Sequence, residues 1–316
     1  MPQSPQCSIV IRAYNEEKHI GRLLTGILEQ TVQDVQIILV DSGSSDATVA
    51  IASRFPVELV SIKPEEFTFG RSLNIGCARA TADFIVFASA HVYPVYPDWL
   101  ECLLAPFEDP EIALVYGKQR GTTSTKFSEH QVFLKWFPEQ SNTRQNHPFC
   151  NNANAAVRTN LWREKQYDES LPGLEDLDWA KWAFSQGFGI SYAADAEIIH
   201  VHEETPKGVY NRYRREAIAL SRIDPRQKFH FTDFLRLFLS NSMSDFWHAL
   251  KKKQLLSKAG EIFWFRAMQF WGTYQGYRYA GPITEQLRQT FYYPLGRNLG
   301  GKESKRKVQP IRYEGN

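Results

Sequence analysis

Cysteine is scarce in this chain and never closely spaced. The four residues, Cys7, Cys77, Cys102 and Cys150, form no CxxC pair and no Cys/His zinc spacing. That argues against a disulfide framework or a zinc ribbon, and for reduced thiols in a cytoplasmic protein. No run of about 18 uncharged apolar residues occurs, so no segment is expected to span a membrane. The opening MPQSPQCSIVIRAYNEE has no basic region followed by an apolar core, so a secretory signal is not expected either. Three nucleotide- or acyl-handling signatures are missing as well. RAYNEE stands where a dinucleotide-binding enzyme would carry GxGxxG, no P-loop is present, and the serines of DSGSSD lack the GxSxG spacing of a hydrolase elbow. There is no internal repeat.

What is present is ordinary globular material, 316 residues with 43% hydrophobic and 23% charged. The net charge of +2 conceals a division. Residues 1–206 hold 16 Lys and Arg against 27 Asp and Glu, whereas residues 207–316 hold 21 against 8. A split of that size predicts two regions with different neighbours.

Strand and helix signals alternate in the first region. SIVIRAY (8–14), QIILVDSG (36–43), VELVSI (57–62), DFIVFASAH (83–91) and IALVYGK (112–118) read as strands. Helical spacing appears over 15–30, 45–55 and 71–82 between them, with Ser45 or Asp46 as a cap. Such alternation predicts an α/β fold with a mainly parallel sheet flanked by helices. A further helix is expected over 175–187, stopped by Gly187, and a buried segment over 190–202. From Pro206 the pattern turns helical, basic and aromatic. The expected organisation is therefore a domain over 1–205, a helical region over 206–300 and a solvated tail over 301–316.

Six segments in order carry a resemblance: SIVIRAYNEE, IILVDSGSSDATVAIA, EFTFGRSLNIGCARATADFIVFASAH, NNANAAVRTNLWRE, YDESLPGLEDLDWA and AEIIHVH. Together they resemble family 2 glycosyltransferases of the GT-A fold, nearest the rhamnosyltransferase-like branch, over most of residues 7–205. The resemblance implies inverting transfer of a sugar from a UDP-, GDP- or dTDP-type donor to a hydroxyl of a saccharide or lipid-linked saccharide. It makes Asp176 of GLEDLDWA the base, with Glu175 orienting or contacting the acceptor. The same two acids would equally complement the dipole of the helix they open. Ala13 and Tyr14 correspond to positions packing the base and Glu16 to one ordering the loop. Asp41 would accept from a uracil or ribose, and Ser42 replaces a second acid often found beside it. Arg71 and Asn74, at the start of the third helix, would face the diphosphate, although Leu73 holds the usual arginine position. Asn151, Asn152 and Asn154 match a polar loop near the acceptor.

The family places Asp-x-Asp at the end of the fourth strand, its last acid binding Mn²⁺ or Mg²⁺. Here Ser89-Ala90-His91 occupies that place. An imidazole is an acceptable Mn²⁺ ligand and a poorer one for Mg²⁺, so His91, with His200 or His202, is the expected metal set. Strand alternation predicts that only one of His200 and His202 faces the site. A lone strand-end histidine bonded for structural reasons is the plain alternative.

The basic, aromatic C-terminal region fits an anionic membrane surface, contacted through Lys251, Lys252, Lys253 and the cluster Phe263-Trp264-Phe265. That would place the protein on the inner face of the plasma membrane. Burial of those aromatics in an intramolecular bundle or an oligomer interface is the competing reading. Nucleic acid is not expected, since no nucleic-acid motif accompanies the charge. Two other classes stand beside the transferase: an inactive nucleotide-sugar-binding relative, and a nucleic-acid-binding protein.

Overall fold

The computed structural model describes residues 5–279, 281 and 308–313. In chain order the elements are β1 (Cys7–Ala13), α1 (Ile20–Leu28), β2 (Val35–Asp41), α2 (Thr48–Ala52), β3 (Glu58–Ser61), α3 (Phe69–Cys77), β4 (Phe84–Ser89), β5 (Val92–Pro94), α4 (Trp99–Leu104), β6 (Ile112–Arg120), α5 (Phe127–Trp136), β7 (Asn154–Arg158), α6 (Thr159–Glu164), α7 (Glu175–Ser185), β8 (Gly189–His200), α8 (Pro206–Ile223), α9 (Phe231–Lys251) and α10 (Leu255–Tyr277). The expected strands and helices fall at these places. Asp46 accepts from Thr48 N at 2.9 Å at the head of α2, and Gly187 closes α7 with φ of 90°.

The strands form one sheet in the order β3-β2-β1-β4-β7-β6-β8-β5. The first four run parallel, as βαβ units require. β7 then runs antiparallel between β4 and β6, β8 is parallel to β6, and β5 closes the edge antiparallel to β8. Central strands are apolar on both faces because helices cover both. Val10, Ile38, Val40 and Phe87 belong to a core on one side. Their neighbours Ile9, Ile11, Leu39 and Val86 pack on the other, against Leu23, Leu24 and Ile27 of α1 and Trp99 of α4. Each such fully buried side chain contributes about 1.5–3 kcal/mol. The carboxyl ends of β1, β2 and β4 consequently open on one edge, where α/β sheets gather ligands.

The C-terminal helices pack onto this domain. Thr205 caps α8, its side chain accepting from Gly208 N, and Pro206 occupies the first turn. α8 and α10 approach closely enough that glycine is required at two crossings. A Cβ at Gly272 would lie 2.5 Å from Tyr210 O, and one at Gly276 2.5 Å from Arg214 O. Arg266 of α10 holds Asp245 of α9 through Nε at 2.7 Å and Nη2 at 3.0 Å. Its Nη2 also reaches Ser128 O of α5 at 3.3 Å.

Two expectations change. Phe265 is fully buried while Phe263 is exposed, so Phe263-Trp264-Phe265 does not form one surface cluster; helical spacing separates its members. And residues 308–313, expected within a solvated tail, lie on the sheet edge. Ile311 N donates to Val95 O at 3.0 Å, and Tyr313 Oη to Pro94 O at 2.6 Å. The remainder of that tail, and residues 282–300 of the helical region, fall outside the described residues.

Candidate active site

A cleft of about 710 Å³ opens at the carboxyl edge of the sheet. Glu175 and Asp176 enter it from the first turn of α7, both buried. The turn is set by Leu174, held in the left-handed region at φ of 57°, a conformation a leucine adopts only under constraint. Asp176 Oδ2 accepts from Asn152 N at 3.0 Å, which ties the polar loop after α5 to the acid. Burial and the charge of Glu175 push the Asp176 carboxyl up to about 7, against hydrogen bonds from Asn152 and Leu177 and the charge of Arg12. Glu175 pairs with Arg12 Nη1 at 3.2 Å.

Three histidines line the same cleft. His91, His200 and His202 each offer a ring nitrogen within 4.8 Å of the others. Both C-terminal histidines therefore face the site, contrary to the alternation expected for a strand. The reason is that β8 ends at His200, so His202 lies beyond the pleat and turns inward. Each ring is held at Nδ1: His91 by Glu16 at 2.7 Å, His200 by Gln119 Oε1 at 2.8 Å, and His202 by Glu129 at 2.7 Å. Assigning the proton to Nδ1 of His91 and His200 makes Nε2 their free nitrogen, and His200 Nε2 is buried without a partner; His202 Nδ1 also meets Arg212 Nη1 at 3.0 Å. Burial and the neighbouring histidines keep His200 well below the usual imidazole range. Burial likewise lowers His202, though Glu129 opposes it. For His91 burial acts downward, but Glu16 outweighs it and the value is raised. Burial favours the neutral form of His200 and His202, and His91 joins them as a donor once its proton is released; imidazoles so oriented fit a divalent transition metal, and suit Mn²⁺ better than Mg²⁺.

The other expected residues divide. Ala13, Tyr14, Glu16, Ser42, Ser89, Ala90, Asn151 and Asn152 line the cleft. Ser42 is bound to β1 through N and Oγ, which donate to Ala13 O at 3.0 and 3.1 Å. Asp41 is buried behind it. Its Oδ2 accepts from Gly43 N and Ser44 N, both at 3.0 Å, and its Oδ1 has no partner. Arg71, Asn74 and Asn154 lie outside the cleft lining. Arg71 pairs with Glu169 at 3.4 Å on the surface; two residues from buried Leu73, it points about 200° round the helix from it. Asn74 is buried and brackets the loop after α6, donating to Tyr167 O at 2.9 Å and accepting from Tyr167 N at 3.0 Å. Asn154 is buried beneath Trp99, whose Nε1 donates to it at 2.8 Å.

Cationic side chains come from elsewhere. Arg12 at the end of β1 and Arg215 on α8 both line the cleft, and each lies 4.7 Å from the centroid of the Phe69 ring. The one signal for Arg12 was a charged residue inside an apolar strand. Arg212, also on α8, binds Glu129 at 2.6 Å and Glu204 at 3.1 Å. Burial opposes the Glu129 charge, yet Arg212 and His202 draw its carboxyl down to about 2. So α8 forms one wall of the cleft, although it begins at the boundary the sequence placed between two regions.

A mostly parallel sheet flanked by helices, with a cleft at its carboxyl edge, is the architecture of the GT-A glycosyltransferases. The sequence model of glycosyl transferase family 2 matches residues 8–170, and the chain belongs to that family. It is 27% identical over 220 residues to the O-antigen chain rhamnosyltransferase RfbN of Salmonella typhimurium, covering 65% of this chain and 69% of that protein. It is 24% identical over 214 residues to glycosyltransferase AglE of Haloferax volcanii, covering 65% and 69%. Among solved structures it is similar to mannosyltransferase PcManGT of Pyrobaculum calidifontis in complex with GDP-Man and Mn²⁺. That match has a TM-score of 0.58, 19% identity and coverage of 87% of this chain and 85% of the other. S. aureus TarS 1-349 in complex with UDP-GlcNAc matches with a TM-score of 0.54, 16% identity and coverage of 97% and 99%. The chain is a glycosyltransferase.

Proposed function

We propose that the cleft transfers a deoxyhexose of the rhamnose type, with inversion, from a nucleoside-diphosphate donor to a saccharide hydroxyl in surface polysaccharide synthesis. The sugar class is supported by the O-antigen rhamnosyltransferases that this chain resembles. The observation that carries the reading is Asp176, buried in the cleft with its carboxyl near neutrality. A base poised near the operating pH accepts a hydroxyl proton most effectively. Above that value Asp176 is ionised and takes the acceptor proton as the oxygen attacks the anomeric carbon, through an oxocarbenium-like transition state. Glu175, fixed by Arg12, holds the acceptor side, and Asn151 and Asn152 border it. Ala13, Tyr14, Ser42, Ser89 and Ala90 form the donor side, with Asp41 Oδ1 the free acceptor behind them. His91, His200 and His202 would hold a divalent cation, which when bound neutralises the diphosphate oxygens that carry the leaving group's charge. The presence of PcManGT with GDP-Man and Mn²⁺ among the structural neighbours supports a metal of that kind. A lipid-linked acceptor is consistent with this chemistry.

The test is nucleoside diphosphate release from UDP-, GDP- and dTDP-sugars, with Mn²⁺ and with chelator. Asp176→Asn should lower turnover by about 10² to 10⁴ while donor binding stays nearly intact. Retention of more than roughly a tenth of the rate would remove Asp176 from the role of base.

A further inference from the structure

Helix α9 carries an apolar stripe that the described residues leave exposed. Phe231, Leu235, Leu239, Met243, Trp247 and Leu250 recur at spacings of four and three, and each is between 41% and 65% exposed. The opposite face is fixed. Phe234 packs on Trp271 and Phe238 on Phe263, each at 5.5 Å between ring centroids, and Asp245 is buried on Arg266. The helix therefore cannot roll to hide its stripe without breaking the Arg266 pair. At 21 residues it presents about 30 Å of length.

Charge beside the stripe identifies the occupant. The exposed neighbours along it are Thr232, Arg236, Ser240, Ser244, His248 and Lys251, none of them acidic. The two acids of α9 are both engaged: Asp233 caps the helix and pairs with Arg236, and Asp245 is buried. At the C-terminal end Lys251, Lys252 and Lys253 are exposed and adjoin Leu256, which is 100% exposed. Lys251 Nζ lies 5.0 Å from the centroid of Trp247, an aromatic and basic pair suited to a boundary between apolar and charged media. A second copy would bring no exposed acid from this helix to meet these cations. An anionic lipid surface offers both phases at once.

We propose that α9 is a membrane-docking helix, lying flat on an anionic lipid surface with its apolar stripe among the acyl chains and Arg236 and Lys251–Lys253 at the headgroups. It stands independently of the catalytic reading. The cleft follows the membrane through α10, which packs on both α9 and α8, so docking orients the wall that carries Arg212 and Arg215. No helix among the described residues is long and apolar enough to cross a membrane, which leaves the interfacial mode for this face.

The experiment is flotation of the full chain with phosphatidylcholine vesicles, with and without phosphatidylglycerol, at low and high salt. Binding is expected only with phosphatidylglycerol and should weaken as salt rises. The triple variant Lys251→Glu, Lys252→Glu, Lys253→Glu should lower partitioning on the order of a hundredfold at low salt. The double variant Leu239→Glu, Met243→Glu should abolish it. Both should keep the wild-type melting temperature, since every changed residue is exposed. Absence of binding to either vesicle, or binding that the variants leave unchanged, overturns the proposal. So does sedimentation equilibrium showing a dimer that Leu239→Glu, Met243→Glu dissociates in a protein that ignores vesicles, which would assign the face to a second copy.

Discussion

Replacing Arg12 by methionine keeps an unbranched apolar stem, shortens the side chain and deletes its charge. The Arg12–Glu175 pair is 3.2 Å long, with side chains 17% and 5% exposed, so water screens it poorly. Breaking a buried pair by removing one partner costs about 3–5 kcal/mol, and Arg12→Met should lose stability on that scale, less what its exposed fraction recovers. The kinetic effect is more specific. Asp176 sits at about 7 because burial and Glu175 raise it while Arg12 opposes them. Arg12 ranks below burial, Glu175 and the two backbone hydrogen bonds among the causes, so its loss should move the carboxyl upward by about one unit at most. At pH 7.5 the ionised fraction of the base would then fall from roughly three-quarters to no less than roughly a quarter. The wild-type rate of nucleoside diphosphate release should rise with pH and level off above about 7 as Asp176 ionises. In Arg12→Met the inflection should move up while the plateau at high pH is largely regained, and Arg12→Lys should restore part of the shift. Stability gives an independent check. A folded value of about 7 against an ordinary 3.8 means that the preference for protonated Asp176 stabilises the fold at low pH. That contribution is lost as pH climbs from about 4 to about 7, and Asp176→Asn should flatten this slope. An Arg12→Met enzyme that is slower by the same factor at every pH, with its inflection unmoved, would refute the reasoning.

The remaining predictions probe other parts. His91→Ala should remove most of the gain in nucleoside diphosphate affinity that Mn²⁺ confers by calorimetry, with little change in melting temperature because the ring is partly exposed; a gain that survives would show that His91 holds no metal. Gly272→Ala places a Cβ 2.5 Å from Tyr210 O and should cost about 1–3 kcal/mol in urea unfolding, while also lowering turnover because α8 is displaced from the cleft. Turnover unchanged at reduced stability would mean that the α8 wall has no part in the reaction. Arg266→Leu leaves Asp245 buried and uncompensated, and should cost about 3–5 kcal/mol in the same assay.

Local pattern carried the α/β part of this protein a long way. Continuous apolar runs in β1, β2 and β4, and the polar residues that stop them, are properties of short segments. The succession of strands and helices to β4, their parallel pairing and the acids that open α7 could therefore be read directly. Pro206 likewise marked the start of α8. What the sequence did not determine was which side chains meet. Glu16, Gln119 and Glu129 orient three imidazoles from separate elements, and no spacing rule links residues up to 81 positions apart. His202 escaped the alternation rule because the strand stops two residues earlier, a length set by pairing with β5 and β6 rather than by its own residues. Arg71, expected to stand in for the arginine that Leu73 replaces, pairs with Glu169 outside the cleft, while Arg12 and Arg215 reach the cleft from a strand end and from a helix expected to belong to another region. The boundary was legible because a proline that opens a helical pattern is a local signal; the role of α8 was not, because packing through Gly272 and Gly276 on α10 decides where its arginines point.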